Sequence, residues 1–159
     1  MKRVLSVVVL LGGAVLLIAA VTAGSSQPSA TAAPAGGGTT ITVIEHATTD
    51  ATTDTGRKGD TAGDVLTFAN DVFDANDKQK VGTDQGYCLR VVPGVSFECT
   101  WTTSLQGGQI VVAGPFFDKK DSTLAITGGT GRFAKARGTM DLSARANGKK
   151  FQFVYHVTR

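Results

Sequence analysis

From Thr40 onward, apolar and polar residues alternate with the two-residue period of half-buried strands. In the first segment Ile41 and Val43 alternate with Thr40 and Thr42. In the last, Phe151, Phe153, Tyr155 and Val157 alternate with Gln152, Val154, His156 and Thr158. The same patterning predicts strands near 64–73, 79–92, 95–104, 108–113, 122–127 and 136–146. The separators are turn-like: Pro93-Gly94, Gly107-Gly108, the polar run Asp118 to Asp121, a glycine-rich loop, and Asn147-Gly148. No segment of this region offers the apolar stripe of an amphipathic helix. The expected fold is all-β, with about eight sequential strands joined mostly by tight turns. Closure into an antiparallel up-and-down β-barrel is favoured over a sandwich, because an open meander leaves two unpaired edges. At this strand number the interior is filled by side chains or holds one small ligand. The stretch "ATTDATTDTGRKGDTAGD" (47–64) is polar and long for a barrel connection, and is expected to be a mobile loop at one mouth.

The amino-terminal region has a different character. Lys2 and Arg3 precede an almost unbroken apolar run from Val4 to Ala23, and Val21 and Ala23 occupy the small-residue positions before a cut. Residues 1–23 are therefore expected to be a signal peptide, with cleavage near Ala33 or retention as a membrane anchor as the alternatives. Residues 24–38 contain Gly, Ser, Ala, Pro and Thr with hardly anything else, and read as a disordered low-complexity linker. The barrel domain is expected over 39–159, outside the cytoplasm. Once the signal is removed no stable membrane partner follows.

Charge narrows the partners. The formal net charge is +3, but removing Lys2 and Arg3 from the 16 basic residues leaves 14 against 13 acidic ones. That balance gives no support for nucleic-acid binding. The glycine-rich loop "LAITGGTGRFAKARGTM" (124–140) has the look of a phosphate cradle. It nevertheless lacks the following Gly-Lys-Ser or Gly-Lys-Thr, has Ala134 where a third dinucleotide-loop glycine would stand, and opens no helix. Its glycines read as turn residues between strands. Asp50, Asp54, Asp60 and Asp64 match no calcium-loop spacing, and His46 and His156 lack a third ligand of clear spacing, so neither a metal nor a cofactor is called for.

The two cysteines, Cys88 and Cys99, are the only ones in the chain. In an exported domain they are expected to pair. Counting outward from a hairpin turn at Pro93-Gly94 places Cys88 opposite Cys99, at the separation a disulfide requires. The bond would remove Cys88 as a nucleophile beside a histidine. Alternation puts Glu45 on the face of Val43. Glu45 is then either a pocket carboxyl, its pKa raised by burial, or a rim carboxylate in water or paired with Arg90. Tyr87, Phe97, Trp101, Phe116 and Phe117 are core aromatics or walls of a ligand pocket.

Five segments in order, "GDVLTFANDVFD" (63–74), "VGTDQGYC" (81–88), "FECTWT" (97–102), "GGQIVVAGPF" (107–116) and "LAITGGTGRFAKARG" (124–138), resemble the barrel shared by allene oxide cyclases and dirigent proteins, especially its bacterial secreted relatives. The resemblance implies a secreted barrel that holds a hydrophobic, phenolic or oxylipin-like small molecule and steers its isomerisation, cyclisation or coupling. The other class is a non-catalytic extracellular barrel, and a lumen packed shut would favour it. Glu45 in "TVIEHA" matches the family's pocket glutamate and is the candidate catalytic residue. Asn70, Phe68 and Cys88 match pocket positions, and Trp101 joins them as a candidate ligand contact. The chain departs from the cyclases at Ala47, where they carry a second asparagine, and in lacking their nearby Ser-Pro. Homo-oligomerisation is left open.

Overall fold

A computed structural model describes residues 37–158. The expected signal peptide and nearly all of the expected linker lie outside these residues. The described chain forms nine strands: Thr39–His46 (β1), Ala51–Thr53 (β2), Val65–Phe73 (β3), Lys80–Val92 (β4), Ser96–Leu105 (β5), Gly108–Phe117 (β6), Ser122–Gly129 (β7), Arg137–Arg145 (β8) and Lys150–Thr158 (β9). From β3 to β9 each strand pairs antiparallel with the next; β1 then pairs with both β9 and β3 and closes the sheet. Eight strands thus form the expected up-and-down barrel. The short β2 lies against the stretch of β3 that β1 leaves free, pairing Ala51–Thr53 with Thr67–Val65.

Most strand boundaries fall within a few residues of those expected. β6 is the largest difference, running on to Phe117 across Gly114-Pro115. Proline cannot donate to a ladder, so the sequence argues for a break there. The structure tolerates it because β6 pairs with β7 only over Ile110–Ala113, which leaves the Pro115 nitrogen with no strand to bond on that side. The β4–β5 register is the one counted from the turn, with Cys88 opposite Cys99 and Arg90 opposite Phe97, until a bulge at Val91. The cysteines are joined, with Cα atoms 4.0 Å apart.

The two ends of the barrel differ. At the lower end the glycine-rich loop folds back on the β5–β6 turn: Arg132 N–H donates to Gly107 O at 2.8 Å and Thr130 N–H to Gln109 O at 2.9 Å. Gly131 has φ +55°, and a Cβ there would come within 2.2 Å of the Gly107 oxygen. Only glycine allows this approach. The fold-back buries Phe133 and Ala136 in the core with Val72, Ile110, Val112, Ile126, Met140 and Val157. These side chains fill the core of this half of the barrel, beside a recess lined by Ile41, Leu105 and Arg132.

At the upper mouth, the segment expected to be a mobile loop is instead tied to the barrel. Asp64 is buried and accepts from Thr61 N–H at 2.7 Å, Thr55 N–H at 3.1 Å and the Thr61 hydroxyl at 3.1 Å. Arg90 N–H reaches the Asp64 carbonyl oxygen, and Gly63 N–H reaches that of Arg90. The polar composition that suggested a loose loop supplies the acceptors that fasten it.

Candidate functional site

The lumen-facing positions of adjacent strands carry a polar layer at mid-height. Asn70 on β3 stands opposite Asp84 on β4, and Asp84 opposite Thr103 on β5. On the other side of β3, Glu45 of β1 faces Val72 and, across β9, Phe151. Glu45, Asn70, Asp84 and Thr103 are all buried, as is Tyr155, whose hydroxyl lies 2.7 Å from that of Thr103. Burial holds the Tyr155 hydroxyl neutral by raising its pKa.

Asn70 organises this layer. Its amide Nδ2 donates to Glu45 Oε1 at 2.8 Å and to Asp50 Oδ1 at 2.8 Å. Its carbonyl accepts the N–H groups of Thr48 and Thr49 and the Thr49 hydroxyl, each at 3.0 Å. One side chain therefore pins both the Glu45 carboxyl and the chain leaving β1.

Asp84 is the unusual member. Its carboxyl meets the Glu45 carboxyl and the Asn70 backbone, with no closer donor to either oxygen among the described residues. Desolvation, then the charge of Glu45, raises its pKa to about 9. Glu45 rises to about 7, chiefly by desolvation and further by the Asp50 charge, with the Asn70 hydrogen bond opposing. Two carboxyls in one apolar lumen cannot ionise independently, so the pair retains a proton at neutral pH.

Above this layer the lumen opens into a small cavity of about 70 Å³. Glu45 and Asp50 supply its carboxyl groups. Leu66, Phe68, Trp101, Phe116, Phe151 and Phe153 supply its apolar walls, together with Leu142 and the Cys88–Cys99 disulfide. The rings interlock edge to face and tilted: Phe68 lies 5.9 Å from Trp101, Trp101 5.5 Å from Phe153, and Phe116 5.8 Å from Phe151. These walls make the cavity predominantly apolar and aromatic.

The candidates taken from the sequence separate here. Glu45, Phe68, Cys88 and Trp101 line the cavity. Asn70 stands behind it, its carbonyl and amide engaged with protein groups, so it positions other residues. Arg90 does not pair with Glu45. It is held by Asp60 at 2.7 Å and by both oxygens of Asp118 at 2.9 Å, with its guanidinium 3.6 Å above the Phe97 ring. The histidines stay apart, because His46 pairs with Lys150 and His156 with Thr40 at the other end of β1. Each has its own carboxylate, Asp77 at 2.5 Å and Asp141 at 3.1 Å. Tyr87 points to solvent and Phe117 lies outside the cavity under Lys120, so neither is a wall.

Asp84 was missed in the sequence, as were the roles of Asp50 and of the ring pair Phe151 and Phe153 as pocket walls. Alternation did contain the signal for Asp84, since it lies four residues before Cys88 and shares its inward face. Among the described residues no cluster of three or more His, Cys, Asp or Glu is arranged to hold a metal ion.

The sequence profile of the allene oxide cyclase family matches residues 44–158, which include every residue that lines the cavity. The chain belongs to that family. Among solved structures, a pyocyanin demethylase is 28% identical, with a TM-score of 0.66 over 76% of this chain and 100% of that one. A pterocarpan synthase dirigent protein is 16% identical, with a TM-score of 0.60 over 79% and 99% of the respective chains. An exo-specific intermolecular Diels-Alderase is 10% identical, with a TM-score of 0.62 over 77% and 98%. The last two share the fold of this family member, and their identities carry no more than that.

Proposed function

We propose that the upper lumen binds a hydrophobic or aromatic small molecule and that Glu45 gives or takes a proton at it, steering an isomerisation or ring-forming reaction. One observation carries the reading: a carboxyl buried to 5% exposure forms part of a cavity otherwise walled by aromatic side chains. A general acid–base works best with a pKa near the working pH, and burial moves Glu45 there. The cavity holds the substrate in one orientation while the protonated Asp84 keeps the charge of the layer low. The pyocyanin demethylase supports an aromatic ligand, and the Diels-Alderase shares the barrel. The open upper half favours this reading over a purely structural barrel.

Export completes the proposal. The charged start and apolar run suit a signal peptide, and the Cys88–Cys99 disulfide suits an oxidising compartment. Terminal sequencing of secreted protein should give a chain beginning near Gly24; an intact Met1 would contradict it.

The functional test begins with native mass spectrometry of the protein from its own source, to identify what the lumen carries. With that compound or its precursor, Glu45→Gln should retain binding within a few-fold and lose turnover by roughly 10²–10⁴-fold. Unchanged turnover would remove Glu45 from the chemistry.

A further inference from the structure

We infer that the β4–β5 hairpin is a docking tip that lays its aliphatic end into the surface of an anionic phospholipid bilayer. This surface is separate from the lumen, and the inference stands whether or not the lumen is catalytic.

Six large apolar side chains are exposed among the described residues, and five of them lie in this one hairpin. They are Tyr87, Leu89, Val91, Val92 and Val95, each between 44% and 55% exposed. Tyr87 and Leu89 stand on the outer face of β4, on either side of the buried Cys88; Val91 to Val95 form the tip with Pro93 and Gly94. Patches of this kind mark sites of interaction. The tip is also held in shape. Gly94 N–H donates to Asp60 Oδ2 at 2.6 Å, and Asp118 N–H donates to the Val95 carbonyl oxygen at 3.0 Å.

The two segments that hold the tip also set the charge around it. Their carboxylates Asp60 and Asp118 are drawn onto Arg90, at 2.7 and 2.9 Å. Arg57, Lys58, Lys119 and Lys120 remain exposed beside the tip, against Asp54 and Asp121. Lys120 Nζ lies 4.1 Å over the Phe117 ring, next to the hairpin in the β5–β6 ladder. Aliphatic side chains flanked by cations match the two layers of a lipid surface, its acyl boundary and its anionic head groups. A second copy of the chain fits less well, because a two-fold contact through the tip would set this basic rim against itself. The lumen opens at the same end: Lys119 and Lys120 share a recess with Phe116 and Phe151 of the cavity wall. The contact is peripheral and reversible, unlike the anchor considered for residues 1–23, and no helix of the described residues is long and apolar enough to cross a membrane.

The test sediments the mature chain, from Gly24 onward, with vesicles of phosphatidylcholine alone and of an equal mixture with phosphatidylglycerol. Binding to the mixed vesicles should be at least tenfold tighter and should weaken as salt is added. Val92→Ser with Val95→Ser should lower that binding about tenfold. Lys58→Glu with Lys119→Glu should remove the preference for the mixed vesicles. All four side chains are exposed, so both doublets should melt near the wild-type temperature; if one fails to fold, the other decides. No binding to the mixed vesicles, or binding that the folded doublets leave unchanged, overturns the inference. Sedimentation equilibrium without lipid tests the other occupant. Self-association that the valine doublet abolishes, with no vesicle binding by the wild type, would make the tip a protein contact and overturn the inference too. Native mass spectrometry should find the same lumen ligand in both doublets, so failure of docking leaves the proposed function standing.

Discussion

Asn70 donates one amide hydrogen bond of 2.8 Å to Glu45, while its carbonyl gathers the backbone of Thr48 and Thr49. The carboxyl at the heart of the cavity and the chain that passes its mouth are therefore held by one residue. The cavity's shape and its acidity are coupled through that side chain.

Asn70→Ala should thus do two things. It leaves two backbone N–H groups and a buried carboxyl without their partner, which should cost about 2–4 kcal/mol in denaturant unfolding. It also removes the hydrogen bond that opposes the rise in Glu45. The Glu45 pKa followed by NMR should move further upward, and no movement would show that Asn70 does not hold the carboxyl.

Stability should fall as pH rises between about 5 and 9. Glu45 and Asp84 ionise near 4.5 and 3.8 when unfolded, but hold protons to about 7 and about 9 when folded. Between those values the folded state binds more protons, so unfolding free energy decreases with pH. Asp64, Asp74 and Asp77 act oppositely, since hydrogen bonds from Thr61, Lys78 and Lys150 lower them. Their contribution is present above the unfolded value and is lost in acid. The melting temperature should therefore peak on the mildly acidic side of neutrality, and Asp84→Asn should flatten the alkaline decline. A profile still rising through pH 8 would contradict the assignment.

Reduction of Cys88–Cys99 opens a cross-strand link over a sequence separation of 11 and should lower stability by about 2–3 kcal/mol. It should also weaken ligand binding, because both sulfurs belong to the cavity wall. Thiol titration of the unfolded, unreduced protein should find no free thiol. Two per chain would refute the bond.

Gly86 should be intolerant of a side chain although its backbone is ordinary extended strand. A Cβ there would stand 2.3 Å from the Trp101 Cβ and 2.4 Å from the Thr100 oxygen. Gly86→Ala should therefore displace Trp101, costing about 1–3 kcal/mol and shifting its fluorescence. Wild-type stability with an unchanged spectrum would show that the β4–β5 contact is looser than it is here.

The sequence by itself determined the barrel, because two-residue alternation and turn residues are local properties that survive without knowledge of partners. It placed Cys88 opposite Cys99, although the turn is one residue longer than counted, because the bulge at Val91 restores the register from Arg90 onward. It also put Glu45 on the face of Val43. Three things were decided only in the tertiary structure. Whether that face was lumen or rim depended on β1 closing between β9 and β3, a pairing of segments far apart in the chain. The tie between Asp64 and Thr61 is local, but the anchoring of the loop to β4 is not. Finally, a surface-like aspartate at position 84 became a buried acid coupled to Glu45 because three strands brought it beside Glu45 and Asn70. A residue's solvation and charge neighbours are non-local quantities, and the chemistry of this lumen consists of them.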